Sequence, residues 1–273
     1  MSFWPDAPEP PESPPVGPLG WLRVILKGGV LGLVVFGGLA VHLLVRLIEW
    51  PIFGLNRPVT PHITRAVSRA AVAILGLRFA MRGLPMKHHG ALVANHASWL
   101  DIFTLNACDT FYFVAKAEVA GWAFIGWLAR ATGTVFIKRD GREAAKQKAL
   151  FEARLDAGHR LLFFPEGTST DSLRVLPFKP TLFAAFFSKH LKETCWIQPV
   201  TVIYTAPAGQ DPSFYGWWGD MTFAQHLVKV LAAPRQGSVE VVFHEPLSVA
   251  SFVDRKHLAQ VAEEQVRSAA PRA

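Results

Sequence analysis

An uncharged apolar run of 18 residues, residues 28–45, constrains the fold of this chain more than any other feature. Lys27 and Arg46 bound the run, and His42 is the titratable residue inside it. A helix of this length just reaches the thickness of the hydrocarbon core of a bilayer. Its glycines weaken a helix in water but are common in membrane helices. The run therefore predicts a membrane-inserted helix. The sequence leaves open whether the helix spans the bilayer or enters one leaflet as part of a helical hairpin.

The segments on either side of this run complete the predicted domain organisation. Residues 1–20 are rich in proline and lack the basic start of a signal peptide, so we expect a disordered tail. Residues 65–82 combine arginines with an apolar face, as in an amphipathic helix interrupted at Gly76. Such a helix suits an anionic cytoplasmic leaflet, although an ordinary core helix with a basic exposed side fits equally well. Residues 21–82 are thus predicted to form a membrane helix and an interfacial helix, and residues 83–273 the main domain.

Composition limits the classes of partner. Hydrophobic residues make up 51% of the chain and charged residues 18%, which is apolar for a soluble enzyme and polar for a multi-span transporter. The net charge of +7 suits an anionic partner. Because the chain has no zinc-finger spacing, RNA-binding signature or long basic run, a membrane fits better than nucleic acid. Cys108 and Cys195 lack any metal-ligand or CxxC spacing, which predicts free thiols in a reducing compartment.

A polar turn follows the apolar residues 91–94, which predict a short buried strand. Ser98 can cap the helix predicted to follow, so His96 would lie in the turn and Asp101 in the first turns of the helix. A carboxylate on one ring nitrogen fixes the tautomer and makes the other nitrogen a better base. With no nucleophilic side chain beside it, the pair predicts deprotonation of a substrate hydroxyl. Taken alone, the segment also fits a histidine in a capping or core position.

A second polar turn, residues 165–168, follows another apolar strand. Gly167 would let this turn expose backbone N–H groups, as the oxyanion of an acyl-transfer intermediate requires. Glu166 fits either of two roles, ordering the turn or binding a substrate hydroxyl. Polar turns at the ends of strands tend to meet at one edge of an α/β sheet, so we expect the two turns to form one site.

Together with two further segments, these turns resemble the motifs of the phospholipid/glycerol acyltransferase (PlsC-like) family, which includes lysophosphatidic acid acyltransferases. The family motif Asn-His-x4-Asp is met by Asn95, His96 and Asp101, and the motif Phe-Pro-Glu-Gly-Thr by residues 164–168. The order and spacing of all four motifs agree with the family over about residues 80–245. The two remaining motifs, Gly-x-x-Phe-Ile-x-Arg and an apolar strand ending in Pro-Val, are met by Gly133, Phe136, Ile137 and Arg139, and by Ile197, Pro199 and Val200.

The resemblance implies acyl transfer from a thioester, acyl-ACP or acyl-CoA, to the hydroxyl of a lyso-lipid. His96 would be the general base and Asp101 would orient it. Because a thioester is already activated, no metal or organic cofactor is expected. The fold implied is α/β, with a central mixed sheet, helices on both faces and an N-terminal membrane-embedded helical element. The substrate-binding residues expected are Lys138, Arg139, Glu166, Gly167, Thr168 and Ser169, with Arg139 in the place of the family's phosphate or head-group binder.

The chain departs from the family at one informative position. Members that form phosphatidate usually carry Arg after Glu-Gly-Thr, and this chain has Ser169. The run from Thr168 to Lys179 resembles the ornithine-lipid branch, whose enzymes O-acylate lyso-ornithine lipid. Arg174 or Lys179 could still bind a phosphate, so a dual acceptor range and a dedicated 1-acylglycerol-3-phosphate acyltransferase both stay open.

The resemblance also implies a location and partners. We expect the protein at the bacterial inner membrane, with its catalytic domain on the cytoplasmic face. Its partners would be the membrane, the lyso-lipid and acyl carrier protein, whose acidic surface suits the basic charge of this chain.

Two other classes of function fit parts of the sequence. A lipase-like hydrolase would need a nucleophilic serine in a Gly-x-Ser-x-Gly elbow, which the chain lacks, and Ser98 lies too close to His96 on the same turn. A membrane-associated lipid-binding protein without activity would have no need of the His96 and Asp101 pair.

Two further helices are predicted around the site. Residues 122–131 form an apolar pattern in which Trp122, Phe124 and Trp127 could line an acyl-chain tunnel or belong to an ordinary core. A second helix would begin at Asp140, with Glu143 as its capping-box partner.

Overall fold

The computed structural model describes residues 4, 7–12, 14–138 and 144–271. Two N-terminal helices, α1 (Pro18–Phe53) and α2 (Thr60–Leu75), precede an α/β domain. The strands are β1 (Arg78–Arg82), β2 (Gly90–Ala94), β3 (Tyr112–Lys116), β4 (Val135–Ile137), β5 (Leu161–Phe163), β6 (Trp196–Thr205), β7 (Ser238–Phe243) and β8 (Leu247–Ser248). The other helices are α3 (Leu100–Cys108), α4 (Ile125–Ala131), α5 (Ala144–Asp156), α6 (Phe223–Ala232) and α7 (Arg255–Ala269). Short 3-10 helices span Ala117–Gly121, Pro180–Phe187 and Val249–Ser251.

Within the described residues, the eight strands form one mixed sheet, in the order β1-β7-β6-β2-β5-β3-β4, with β8 also paired to β6. Neighbours are parallel except where β7 and β8 run antiparallel to β6. The strand β2 is buried on both faces, which explains why its sequence is a continuous apolar run. Its side chains divide between two cores, one shared with α2, α3 and α6 and the other with α5 and α7. The predicted mixed sheet with helices on both faces is confirmed.

The long helix α1 lies along the domain and contacts it through one stripe. The buried positions on α1 recur at helical spacing. Near its N-terminal end Arg23 donates to the Ala232 carbonyl (3.4 Å), and nearer its C-terminal end His42 Nε2 pairs with the Ala131 carbonyl (2.9 Å). The rest of its surface is apolar and exposed. Among the described residues, α1 is the helix long and apolar enough to cross a membrane.

The N-terminal boundaries differ from the sequence expectations. Helix α1 begins at Pro18 rather than at residue 21. The helix expected over residues 65–82 is α2, which ends at Leu75, directly before Gly76. Gly76 has φ +83, a left-handed conformation that glycine adopts without strain. The residues beyond it form the edge strand β1, which pairs with β7, so the domain begins near residue 78 rather than 83. This pairing joins distant segments, and no local pattern reveals it.

The N-terminal tail also differs from the expected disordered segment where the structure describes it. The Trp218 indole N–H donates to the carbonyl of Pro8 (2.8 Å), and the Trp4 side chain is buried. The guanidinium of Arg174 lies 5.9 Å from the centre of the Trp4 ring. These contacts hold the described part of the tail against the domain.

Candidate active site

The two polar turns meet at the carboxyl edge of the sheet. The strands β2 and β5 are parallel neighbours in register from Ala91 and Leu161 to Val93 and Phe163, so the turns that follow them lie side by side. The imidazole of His96 stacks on the Phe164 ring, with the ring centres 4.0 Å apart. The geometry therefore brings together the two segments that the sequence singled out.

A hydrogen bond joins His96 to Asp101. The Nδ1 atom of His96 lies 2.7 Å from Asp101 Oδ2. The same oxygen accepts hydrogen bonds from the backbone N–H groups of Ala97 (2.8 Å) and Ser98 (3.1 Å). The Asp101 side chain is fully buried, whereas 20% of the His96 side chain is exposed. With Nδ1 donating to the carboxylate, Nε2 is the nitrogen left to act as a base.

Tyr204, on β6, is a part of this arrangement that the sequence analysis missed. Its hydroxyl donates to Asp101 Oδ1 (2.9 Å), the oxygen that His96 does not use. Burial, together with the Asp101 charge, raises the pKa of Tyr204 well above its ordinary value, so the phenol keeps its proton and remains a donor. The available signal was a tyrosine in a largely apolar strand, because a buried phenol needs a polar partner.

Replacing Tyr204 with phenylalanine should lower kcat about tenfold, because Asp101 Oδ1 loses its donor in a buried position. A hydrogen bond to a charged group contributes about 1.5–3 kcal/mol, and the weakened carboxylate would hold and polarise His96 less well. The measurement is a pH profile of kcat. Tyr215→Phe is the matched control, because the Tyr215 hydroxyl bonds to Gln236 (2.9 Å) and not to Asp101. A Y204F profile that overlays the wild-type curve would contradict a role at the dyad.

Glu166 is buried between the two polar turns. Its side chain is 1% exposed, and its two oxygens accept the backbone N–H groups of His96 and Leu176, each at 2.7 Å. The carboxyl group therefore orders the turns that carry His96 and Gly167. Of the two roles that the sequence left open, the geometry matches the first.

The buried carboxyl of Glu166 predicts a pH dependence of stability. Burial raises its pKa to about 8 from 4.5, against the opposing effect of the two N–H groups. The folded state then holds the proton more tightly than the unfolded chain. The free energy of unfolding should therefore fall as the pH rises from about 4.5 to about 8. In the Glu166→Gln protein, whose side chain cannot ionise, the melting temperature should change less with pH over that range. Parallel curves for the two proteins would refute this assignment.

The turn at Gly167 is closed by its own hydrogen bond. Gly167 has φ +72, and its N–H donates to the Phe164 carbonyl (3.0 Å). This N–H is thus occupied within the turn, and the expectation of oxyanion donors near Gly167 stays a prediction for the other N–H groups there. Thr168 and Ser169 are partly buried, and the Ser169 hydroxyl donates to the Trp217 carbonyl.

A loop around Trp217 joins the two turns. The Trp217 N–H lies 2.9 Å from the Ala97 carbonyl and 3.1 Å from the Thr170 carbonyl. The N–H of Thr170 in turn donates to the His96 carbonyl (2.9 Å). These main-chain bonds hold His96 and the second turn in one rigid unit.

Of the basic residues expected near the head group, the structure describes Lys138 and Arg174 but not Arg139. Lys138 is exposed directly after β4, whose carboxyl end lies at the same edge of the sheet as His96. Arg139 lies outside the described residues, as do the capping residues Asp140 and Glu143. Arg174 Nε donates to Asp171 Oδ2 (2.7 Å), and 37% of its side chain is exposed.

An apolar cavity of about 220 Å³ lies between α1, α2, α3 and α4. Its wall includes Phe113, whose ring centre lies 6.0 Å from that of Phe164, the ring that stacks on His96. The aromatic residues expected to line a tunnel do not reach it. Their side chains lie on the surface, and Phe124 contacts Phe36 of α1 (6.0 Å). The cavity is lined instead by residues that include Trp99, Ile102, Phe103, Ile125 and Leu128.

Comparison with known proteins identifies the family. An acyltransferase family model matches residues 78–203. The chain is 63% identical to lyso-ornithine lipid O-acyltransferase of Rhodobacter capsulatus, over 95% of this chain and 94% of that protein. It is 38% identical to the lyso-ornithine lipid O-acyltransferase of Brucella abortus, over 70% and 75% of the two chains. The crystal structure of the 1-acyl-sn-glycerophosphate acyltransferase PlsC from Thermotoga maritima has the same fold, with a TM-score of 0.63 at 19% identity over 91% and 93% of the chains. The chain therefore belongs to the phospholipid/glycerol acyltransferase family, as its motifs predict.

Proposed function

We propose that this acyltransferase moves a fatty acyl group from a carrier thioester to the hydroxyl of lyso-ornithine lipid. The observation that carries the proposal is the pair of His96 and the buried Asp101, 2.7 Å apart, with the imidazole partly exposed. The named activity of the 63% identical relative supports the acceptor, as does Ser169 in the place of the usual arginine.

In the proposed reaction His96 acts first as a base and then as an acid. Nε2 takes the proton of the acceptor hydroxyl while its oxygen attacks the thioester carbonyl carbon. Asp101 stabilises the imidazolium that forms. The tetrahedral intermediate collapses with cleavage of the C–S bond, and the thiol leaves with the proton from Nε2. An ester and a free carrier thiol result, and His96 returns to its neutral form. We place the donor acyl chain in the apolar cavity.

The same proposal includes the membrane and the donor. The exposed apolar surface of α1, extended by Trp122, Phe124 and Trp127, supports attachment to a bilayer. Because α1 contacts the domain near both of its ends, we favour a helix embedded in one leaflet on the cytoplasmic face over a spanning helix. Acyl-ACP is the proposed donor, since the net charge of +7 suits an acidic carrier protein.

A paired acceptor assay tests the proposal. Membranes that contain the protein receive labelled acyl-ACP with either lyso-ornithine lipid or 1-acylglycerol-3-phosphate, and membranes with His96→Ala serve as the blank. We expect transfer to lyso-ornithine lipid. Additional transfer to 1-acylglycerol-3-phosphate would indicate that basic residues such as Lys138 and Arg174 bind its phosphate. Transfer to 1-acylglycerol-3-phosphate alone would overturn the proposed acceptor.

A further inference from the structure

Two arginine side chains converge beneath the connection between α1 and α2, away from the dyad. Arg57 Nη1 donates to the Ala131 carbonyl (2.8 Å), and Arg154 Nη2 donates to the Gly133 carbonyl (2.6 Å). A Cβ on Gly133 would lie 3.0 Å from Arg57 Nη1 and 3.1 Å from Arg154 Nη2. The lack of a side chain at Gly133 therefore lets the two guanidinium groups approach each other.

Among the described residues, no carboxylate matches the positive charge of this pair. Within the described part of the chain, neither Arg57 nor Arg154 has an acidic side chain within 4.0 Å. The nearby acid is Glu49, whose oxygens accept from Val59 and from both the N–H and the hydroxyl of Thr60. Glu49 also pairs with a third arginine, Arg46 (3.4 Å). The carbonyls at the end of α4 offset only part of the excess positive charge.

Buried polar atoms without partners lie in the same group. Among the described residues, the Nε of Arg154, a side chain that is 7% exposed, has no hydrogen-bond partner. The imidazole of His159, which is 4% exposed, lies beside the Leu55 backbone without reaching full hydrogen-bonding geometry there. His159 stacks on Tyr112 (4.1 Å), and the Arg154 guanidinium lies 4.8 Å from the centre of that ring. Burial and then the neighbouring Arg57 lower the pKa of Arg154 to about 10. Unpaired buried charge is costly, so an anion in this place would relieve a real penalty.

We propose that Arg57, Arg154 and His159 form a site for the phosphate group of an anionic membrane phospholipid. Guanidinium groups match phosphate oxygens in paired hydrogen bonds. The end of α1 and the connection that follows it expose Ile52, Phe53 and Leu55, which suits the boundary of the hydrocarbon core, where lipid phosphates begin. Arg46 fixes this connection through the Gly54 carbonyl (2.6 Å). A bound phosphate would then fasten the α1–α2 hairpin and the domain to the lipid surface together.

The test compares thermal stability in nanodiscs of phosphatidylcholine alone and of phosphatidylcholine with one-fifth phosphatidylglycerol. The wild-type protein should melt about 5 °C higher with the anionic lipid, whereas Arg57→Gln should lose that rise. Arg235→Gln is the matched control, since it removes the same charge from an exposed position and should keep the rise. Acyl transfer by R57Q in neutral lipid should stay at the wild-type level, which separates this site from the proposed reaction.

Two further measurements make the result decisive. Native mass spectrometry of the detergent-solubilised protein should show retained phosphatidylglycerol on wild type and R235Q and less on R57Q, whatever their melting temperatures. Inorganic phosphate, added at constant ionic strength, should raise the melting temperature less than the anionic lipid does. An equal rise in melting temperature that R57Q abolishes would assign the site to free phosphate. The lipid site is overturned if both lipid mixtures stabilise the wild type equally, or if R57Q and R235Q respond alike.

Discussion

Replacing His96 with alanine is expected to lower kcat by about 10²- to 10⁴-fold, the range in which positioned general bases contribute. The His96 side chain is partly exposed, and Asp101 fixes its Nδ1 at 2.7 Å, which leaves Nε2 as the basic nitrogen. Without the imidazole, the acceptor hydroxyl would have to attack with its proton in place. The measurement is initial-rate acyl transfer by the purified variant at saturating donor and acceptor.

His88→Ala is the matched control for this experiment. His88 is exposed and stacks on Trp196 (4.3 Å), just before the amino end of β2 and thus at the opposite edge of the sheet from His96. We expect the H88A protein to transfer acyl groups at the wild-type rate. A folded H96A protein with a rate close to wild type would remove His96 from the mechanism.

Replacing Asp101 with asparagine should cost a similar factor, about 10²- to 10⁴-fold in kcat, while the binding of the donor changes little. The fully buried carboxylate accepts from His96 Nδ1, two backbone N–H groups and the Tyr204 hydroxyl. An amide has no negative charge to stabilise the imidazolium, and its NH₂ group cannot accept these donors. We therefore expect kcat to fall at every pH.

Asp109→Asn supplies the comparison for Asp101. Asp109 lies at the other end of α3 and pairs with Arg160 (2.8 Å), so its substitution should lower stability without changing the pH profile of kcat. The activities and the melting temperatures of the D101N and D109N proteins are compared. If activity falls in proportion to melting temperature in both, the loss at Asp101 comes from lower stability. An unequal loss at matched stability would assign it to the dyad.

The sequence by itself determined the features whose cause is local. The spacing of His96 and Asp101 within one strand-turn-helix unit is sufficient to bring the two side chains together, and the apolar strands before residues 95 and 164 place both polar turns at the carboxyl edge of the sheet. The long apolar run of α1 likewise needed no tertiary information.

The tertiary structure alone decided what depends on distant partners. Tyr204 reaches Asp101 from 103 positions away, and Glu166 accepts the backbone N–H groups of two separate segments. Trp122, Phe124 and Trp127 neither line the cavity nor belong to the core, because their side chains lie on the surface. The cavity is formed instead where α4 faces α2 and α3. Local periodicity can indicate that a side chain is apolar or polar. Which neighbour it meets is set by the pairing of strands and the packing of helices that are far apart in the chain.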